Sequence, residues 1–343
     1  MLISDEELAR YQPGETLGEG ADLQVFAGRN RDTGADVVLK RPHPTLVSRN
    51  QHHDVEATTH DLVRIRSELG GEIAHVPSLL GVSGPKNHDS LFGDSLGNEY
   101  TVTVESRARG VPLVGSVVDG LRKHPIGLPM NLFCLSSLQP HAIRGETPLL
   151  LDILETVGVF YEVGYLLMDM RPQNVFYAPE TGEVSIIDVG DFRAPREATQ
   201  RHPPLDIHEM LLDLLRWHLP ANDPPLEMDS WTQYTEPLRS PQFERAVDDT
   251  RRLFSSEELT DDRAVAMRIL DRIKVRGYSG ISEFKNDVKG FFELRRRRIA
   301  SSPALLAQME LWKQGMAMMR DGYWSKFLFS ADPDLASYET ADS

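Results

Sequence analysis

Three oxygen-bearing side chains gather in the second half of the chain. Asp169 and Asn174 stand five residues apart in Leu167-Met168-Asp169-Met170-Arg171-Pro172-Gln173-Asn174, and Asp188 follows fourteen residues later in Ile186-Ile187-Asp188-Val189-Gly190. Carboxylate and amide oxygens are the ligands a hard cation such as Mg²⁺ takes. Any one of the three is explained equally well as a turn cap; all three in this order point to metal and phosphate chemistry. In the first half, Lys40 closes the apolar run Val37-Val38-Leu39. An ammonium there either snorkels to the surface or meets an anion. Upstream, Leu17-Gly18-Glu19-Gly20-Ala21-Asp22-Leu23-Gln24-Val25 sets two glycines on a tight turn, where bare backbone amides can approach phosphate oxygens.

The elements that must position these groups change character along the chain. Residues 17–40 alternate apolar and polar through Leu23, Val25 and Ala27, turn at Asp32-Thr33-Gly34 and end in a β-rich run, which is a hairpin pattern. Residues 48–69 contain no Gly or Pro and predict one long helix stopped by Gly70-Gly71. Short strands are expected at 78–82 and 101–105. From Pro148 the pattern turns helical: a buried helix over 149–163, a strand pair at 174–177 and 184–187, and a second buried helix over 207–219. Amphipathic helices follow over 240–254, 262–274, 281–298 and 303–319. A strand-rich piece followed by a helix-rich piece predicts an α+β protein in two lobes.

Bulk properties limit the alternatives. The 343 residues carry a formal net charge of −15, which argues against nucleic acid or an anionic membrane as a partner, since both need basic patches. No apolar run reaches the length of a membrane span. The start of the chain is acidic and does not read as a secretory signal, and Cys134 is the one cysteine, so no disulfide within the chain can form. A cytoplasmic location fits all of this.

In combination the motifs resemble the eukaryotic-type Ser/Thr protein kinase superfamily. Residues 167–174 are similar to its catalytic loop and Asp188-Val189-Gly190 to its metal-binding Asp-Phe-Gly. Residues 18–25 resemble the glycine-rich loop, Val38-Leu39-Lys40 the Ala-x-Lys of the third strand, and 101–107 the strand that enters the hinge, with Val104 as gatekeeper. Leu205-Asp206-Ile207-His208-Glu209-Met210 resembles the start of the large helix of the second lobe. Order and rough spacing hold from about residue 11 to 219. The resemblance implies a bilobal protein-kinase-like fold: a β-rich first lobe over 1–105 with one long helix, a mostly helical second lobe over 106–300 with an insertion at about 111–147, and a helical extension over 301–343.

It also implies roles. Asp169 would orient the acceptor hydroxyl and take its proton; Asn174 and Asp188 would hold Mg²⁺ against the phosphates of ATP. Lys40 would grip the α- and β-phosphates and Arg171 would face the γ-phosphate. Gly18, Gly20, Val25 and Val38 would line the nucleotide, with the backbone of Glu105 and Arg107 pairing with adenine. Lys40 would need a glutamate from the following helix. Glu56 and Glu68 both qualify, and Glu56 is preferred because it lies inside the helix and not at its end. A lysine and three oxygen-bearing groups would then serve one nucleotide. Phosphoryl transfer asks mainly for positioning and charge neutralisation, which such groups supply.

The departures matter as much. Leu23 replaces the third glycine, and Leu167-Met168 the usual His-Arg, which removes the partner of an activation-loop phosphate. Asp206 comes only eighteen residues after Asp188, and Ala194-Pro195-Arg196-Glu197, similar to the Ala-Pro-Glu that ends the activation segment, arrives almost at once. A platform for an extended peptide is missing or rebuilt. Three readings follow: a kinase of protein Ser/Thr, a pseudokinase scaffold, or a kinase of small-molecule hydroxyls. Arg171-Pro172-Gln173 favours the first, being similar to the Lys-Pro-Glu of Ser/Thr kinases.

Other features have plainer readings. His52, His53 and His60 share a helix, but the histidine pairs are seven and eight residues apart, without the i,i+4 spacing that lets two of them share a metal. The run Arg295 to Arg298 reads as compensation of a helix dipole rather than a patch for nucleic acid. Met130, Leu132, Phe133 and Leu135 in the insertion, and Trp312, Met316, Met318, Met319 and Trp324 near the end, read first as packing and second as surfaces for a protein partner.

Overall fold

The computed structural model describes residues 2–119, 122–127, 148–178, 181–197, 205–219, 242–255 and 260–307. The chain is α+β and divides into two compact units, Met1–Ala108 and Arg109–Ser343. Met130, Leu132, Phe133, Cys134 and Leu135 lie outside the described residues, as do the Trp and Met residues from 312 onward. No helix among the described residues is long and apolar enough to cross a membrane.

The first unit is built on six strands: β1 (Leu2–Ile3), β2 (Tyr11–Glu19), β3 (Leu23–Asn30), β4 (Asp36–Pro42), β5 (Leu79–Ser83) and β6 (Thr103–Ser106), ordered β1-β5-β6-β4-β3-β2. Only β1 and β5 run parallel; every other pair is antiparallel. The alternation read between 17 and 40 is thus two successive hairpins, and Pro13 is tolerated because β2 is an edge strand. Side chains alternate faces with period two. Phe26, Val37, Leu39, Val102 and Val104 form one buried core with Leu8, Val47 and Tyr100. Register puts Val25 opposite Lys40, Ala27 opposite Val38, Lys40 opposite Thr103 and Val38 opposite Glu105, so these side chains share the other face. The expected gatekeeper, Val104, pairs with Leu39 and faces the core.

Arg41 is buried on the core face. Its guanidinium stands 4.4 Å from the Phe92 ring centroid and 5.2 Å from that of Phe26, donates to Gln24 Oε1 and is ion-paired with Asp94. A buried cation is tolerable only with this degree of partnering.

The helix expected over 48–69 forms over 53–68, and Ser48 instead ends a separate short helix. α1 (Asp5–Leu8) precedes them; α2 (Pro44–Ser48) starts with proline in its first turn, and α3 (His53–Glu68) begins after a break at 49–52. Asn50 adopts a left-handed backbone, φ 55°, which ends α2; Asn accepts that region more readily than most residues. A short helix, α4 (Asp89–Phe92), adds Leu91 and Phe92 to the core.

The second unit opens with β7 (Val111–Pro112) and the hairpin β8 (Val114–Asp119) and β9 (Arg122–Gly127). Gly110, just before β7, has φ 84°, and a Cβ there would stand 2.1 Å from Tyr177 O; only glycine fits. α5 (Leu149–Glu162) is the buried helix the sequence predicts, with Ile153, Val157 and Phe160 fully enclosed. β10 (Leu166–Leu167), β11 (Val175–Ala178), β12 (Glu183–Ile186) and β13 (Phe192–Arg193) form two small sheets, β10-β13 and β12-β11-β7. α6 (Ile207–His218) is capped by Asp206, whose Oδ1 accepts the His208 N–H at 2.7 Å.

α7 (Phe243–Phe254), α8 (Asp261–Lys274) and α9 (Ile281–Ala300) complete the described part, α9 packing on α8 and α5. Arg295 and Arg298 of the basic run of α9 turn inward while Arg297 is exposed: Asp262 is buried, with Arg298 Nη2 at 3.0 Å and the wholly buried Arg295 at 3.5 Å. Burial pushes the Asp262 carboxyl up, but the two cations prevail and hold it below the usual range. Arg276 ties the start of α6 to the end of α8 through Asp206 and, at 3.0 Å, Glu209.

Candidate active site

The candidate groups fall into two clusters, one in each unit. In the second unit, Leu166 and Leu167 are buried strand residues that anchor the approach to Asp169. Met168 N donates to Asp191 O at 2.9 Å, and Met170, also buried, presents its carbonyl to Nε2 of the enclosed His218 from α6. The loop is therefore held on both sides of Asp169. A 3-10 turn, Pro172–Asn174, then leads straight into β11.

Within this frame Asp169 and Asn174 come together. Asn174 Nδ2 donates to Asp169 O at 2.9 Å and to Asp169 Oδ2 at 3.1 Å. With its amide nitrogen spent on Asp169, Asn174 has Oδ1 left as an acceptor, the atom a hard cation would take. Arg171 closes a fork on the same carboxylate, Nε to Oδ1 at 2.6 Å and Nη2 to Oδ2 at 3.0 Å. Asn174 O accepts the N–H of Ile187 at 2.8 Å, and the antiparallel pair β11–β12 sets Val175 opposite Ile186. Asp188 follows at once, exposed, with φ 57°. A non-glycine residue in the left-handed region is strained unless its surroundings hold it there, and such strain gathers at functional positions.

In the first unit Lys40 has a carboxylate partner, but not the one expected. Lys40 Nζ lies 2.6 Å from Glu105 Oε2, their side chains 15% and 9% exposed. The preferred Glu56 is committed elsewhere: its Oε1 accepts the Thr101 N–H at 2.7 Å, and its Oε2 stands near His52 and His53. Glu68 pairs with Arg64 at 2.8 Å. The reason is register. Lys40 and Glu105 lie diagonally on one face of adjacent strands, within reach of long side chains. Glu105 sits in an inner strand between Val38 and Leu79, and Arg107 lies one residue past the end of β6.

Arg66, on the buried side of α3, was not among the expected groups. It donates to Pro77 O at 3.0 Å, is 2% exposed and leaves Nε and Nη1 unpartnered. Burial pulls its guanidinium below the usual range, and the charges of Glu105 and Glu72 oppose that pull. Glu105 thus pairs directly with Lys40 and acts on Arg66 only through its charge. The glycine turn is open: Gly20 N donates to Leu23 O at 2.9 Å, a Cβ at Gly18 would meet nothing within 4 Å, and one at Gly20 only Leu23 O at 3.7 Å. Neither glycine is demanded by packing.

Compared with known proteins, the chain matches no known family and no curated protein.

Proposed function

We propose that this chain is a phosphotransferase of the protein-kinase-like class, with the bilobal fold that class implies. More particularly, it transfers the γ-phosphoryl group of ATP to a hydroxyl, Ser or Thr of a protein being the acceptor the Arg171-Pro172-Gln173 segment favours.

The observation that carries this reading is the lacing of Asp169, Asn174 and Asp188. Asn174 binds Asp169 through its side chain and the residue before Asp188 through its carbonyl, so one asparagine sets the position of both acidic groups. A simple turn cap explains neither the second link nor the left-handed backbone at Asp188.

Asn174 Oδ1 and the Asp188 carboxylate suit Mg²⁺, which would neutralise phosphate charge when bound. Asp169 accepts a hydrogen bond from the acceptor hydroxyl and takes its proton as the new P–O bond forms; the bond from γ-phosphorus to the β,γ-bridging oxygen breaks, and ADP leaves with that oxygen. Arg171, now on Asp169, has the charge to stabilise the transferring group. Lys40 supplies the phosphate contact in the first unit. Gly18 and Gly20 offer backbone that no side chain crowds, and Val25 and Val38 give an apolar wall for the base, with main-chain groups at Glu105 and Arg107 to pair with it.

A second reading, a nucleotide-binding regulator without transfer, is favoured by Lys40, which is held by a strand glutamate and not by one from α3. Incubation with γ-labelled ATP and Mg²⁺, wild type beside Asp169→Ala, separates the readings. Label on the protein or an added basic protein, lost in the variant, supports protein phosphorylation. Label only in a small-molecule fraction supports a small hydroxyl acceptor. Mg²⁺-dependent ATP binding with no transfer to any acceptor supports the regulator, and no ATP binding at all ends the proposal.

A further inference from the structure

Three side chains at the start of α3 form a cluster that phosphoryl transfer does not use. His52 caps the helix and is 1% exposed; His53 and Glu56 follow in the first turn. His52 Nε2 and His53 Nδ1 each lie 3.8 Å from the same atom, Glu56 Oε2. One ring nitrogen from each histidine and a Glu56 oxygen all fall within 4.8 Å of one another. The sequence spacing that places them is i,i+4 for His52 and Glu56 and i,i+3 for His53 and Glu56, which puts side chains on one helix face.

Two further observations make this more than a helix start. The Glu56 carboxylate is fixed from behind, its Oε1 accepting the Thr101 N–H at 2.7 Å. Outer hydrogen bonds of this kind orient the ligands of a metal. The buried His52 ring also has an unmet need: Nε2 lies 2.9 Å from Glu99 O, while Nδ1 has no partner. Imidazole nitrogens and a carboxylate are ligands that zinc accepts at about 2.0–2.2 Å, which asks each of these atoms to close in by only a few tenths of an ångström. His52 can serve through Nε2, the ring nitrogen that faces Glu56 Oε2, by exchanging Glu99 O for the ion.

We propose that His52, His53 and Glu56 form a site for a zinc-class divalent cation, with water in the fourth position. Exposed His53 gives solvent access to it. The ion would hold His52 and His53 to Glu56, whose Oε1 already connects the start of α3 to Thr101 N. The proposal is independent of phosphoryl transfer.

The test is calorimetric titration of the metal-free full-length protein with Zn²⁺, and absorption spectroscopy of the Co²⁺ form. The expected result is one equivalent bound, visible Co²⁺ bands of a low-coordinate site, and a melting temperature that rises with Zn²⁺. Glu56→Gln keeps an oxygen for the Thr101 N–H, and His53→Ala alters an exposed residue, so both should fold, as circular dichroism would record. Each should weaken Zn²⁺ binding at least tenfold, whereas His60→Ala, on the same helix outside the cluster, should not change it. Absence of Zn²⁺ binding in the wild type, or equal binding by both cluster variants, overturns the proposal.

Discussion

Lys40 Nζ lies 2.6 Å from Glu105 Oε2 on adjacent inner strands, with little solvent at either end. The buried Arg66 feels the same carboxylate. Removing Glu105 therefore leaves Lys40 without its partner and takes a favourable charge from Arg66, while removing Lys40 leaves Glu105 in the longer-range field of Arg66. Breaking one side of a buried pair costs about 3–5 kcal/mol. Glu105→Ala should reach that range in urea unfolding, and Lys40→Met should cost clearly less. Equal losses would show that Arg66 does not share Glu105. Lys40→Ala should also abolish phosphoryl transfer with the fold retained.

Arg171 holds the Asp169 carboxylate with two parallel hydrogen bonds. Asp169→Asn keeps the size of the side chain and the hydrogen bond to Asn174 but cannot take a proton. It should lower the rate of transfer by about 10²–10⁴-fold, the span of general acid–base catalysis, with the melting temperature nearly unchanged. Arg171→Lys retains charge without the planar fork and should fall between wild type and Arg171→Ala in kcat. A Lys variant no better than Ala would mean that geometry, not charge, is what Arg171 contributes.

Asp188 bears left-handed backbone strain. Glycine adopts that conformation without penalty, so Asp188→Gly should raise stability by a few tenths to about 1 kcal/mol while abolishing transfer. Asn also tolerates the left-handed region, and Asp188→Asn should keep wild-type stability yet lose Mg²⁺-dependent ATP binding. Stability measured in urea and nucleotide binding measured by fluorescence would read the two effects separately. A fall in stability for the glycine variant would locate the role of Asp188 in the fold instead.

Local pattern made much of this visible. Alternation between 17 and 40 marks β2, β3 and β4, and apolar density marks α5 and α6; Asn174 binds Asp169 through its side chain and Ile187, the neighbour of Asp188, through its carbonyl. What stayed hidden depends on pairs far apart in sequence. Glu105 reaches Lys40 because β4 and β6 are neighbours, and no spacing within the chain announces which strands pair. The split between α2 and α3 had a signal in Asn50, which accepts φ above zero, but the run 48–69 lacks the Gly or Pro that usually marks a break. The cluster at the start of α3 is hidden in the spacings between histidines, because the residue that both His52 and His53 face is Glu56. His218 ends α6, and only the fold shows it enclosed against the loop of Asp169.

That enclosure has a pH consequence. Burial pushes His218 down to about 4, against the hydrogen bond to Met170 O, which acts in the other direction. In the unfolded chain its value is about 6.5. Above that pH neither state binds the proton, and the neutral ring costs nothing. As pH falls through 6.5 the unfolded chain takes up a proton that the folded ring refuses, and stability drops until about pH 4, where both states are protonated. A difference of this size corresponds to about 3 kcal/mol. Other groups titrate in the same window, so the comparison is with His218→Gln, which keeps a donor for Met170 O and has no charge to gain. Urea midpoints measured from pH 7 to pH 4.5 should fall more steeply for the wild type than for this variant. If the same loop positions Asp169, kcat of the variant should stay within a few fold of wild type, while His218→Ala, with no donor for Met170 O, should lose more. Parallel stability curves for wild type and His218→Gln would mean that the folded ring takes up its proton as readily as the unfolded one, against the burial effect.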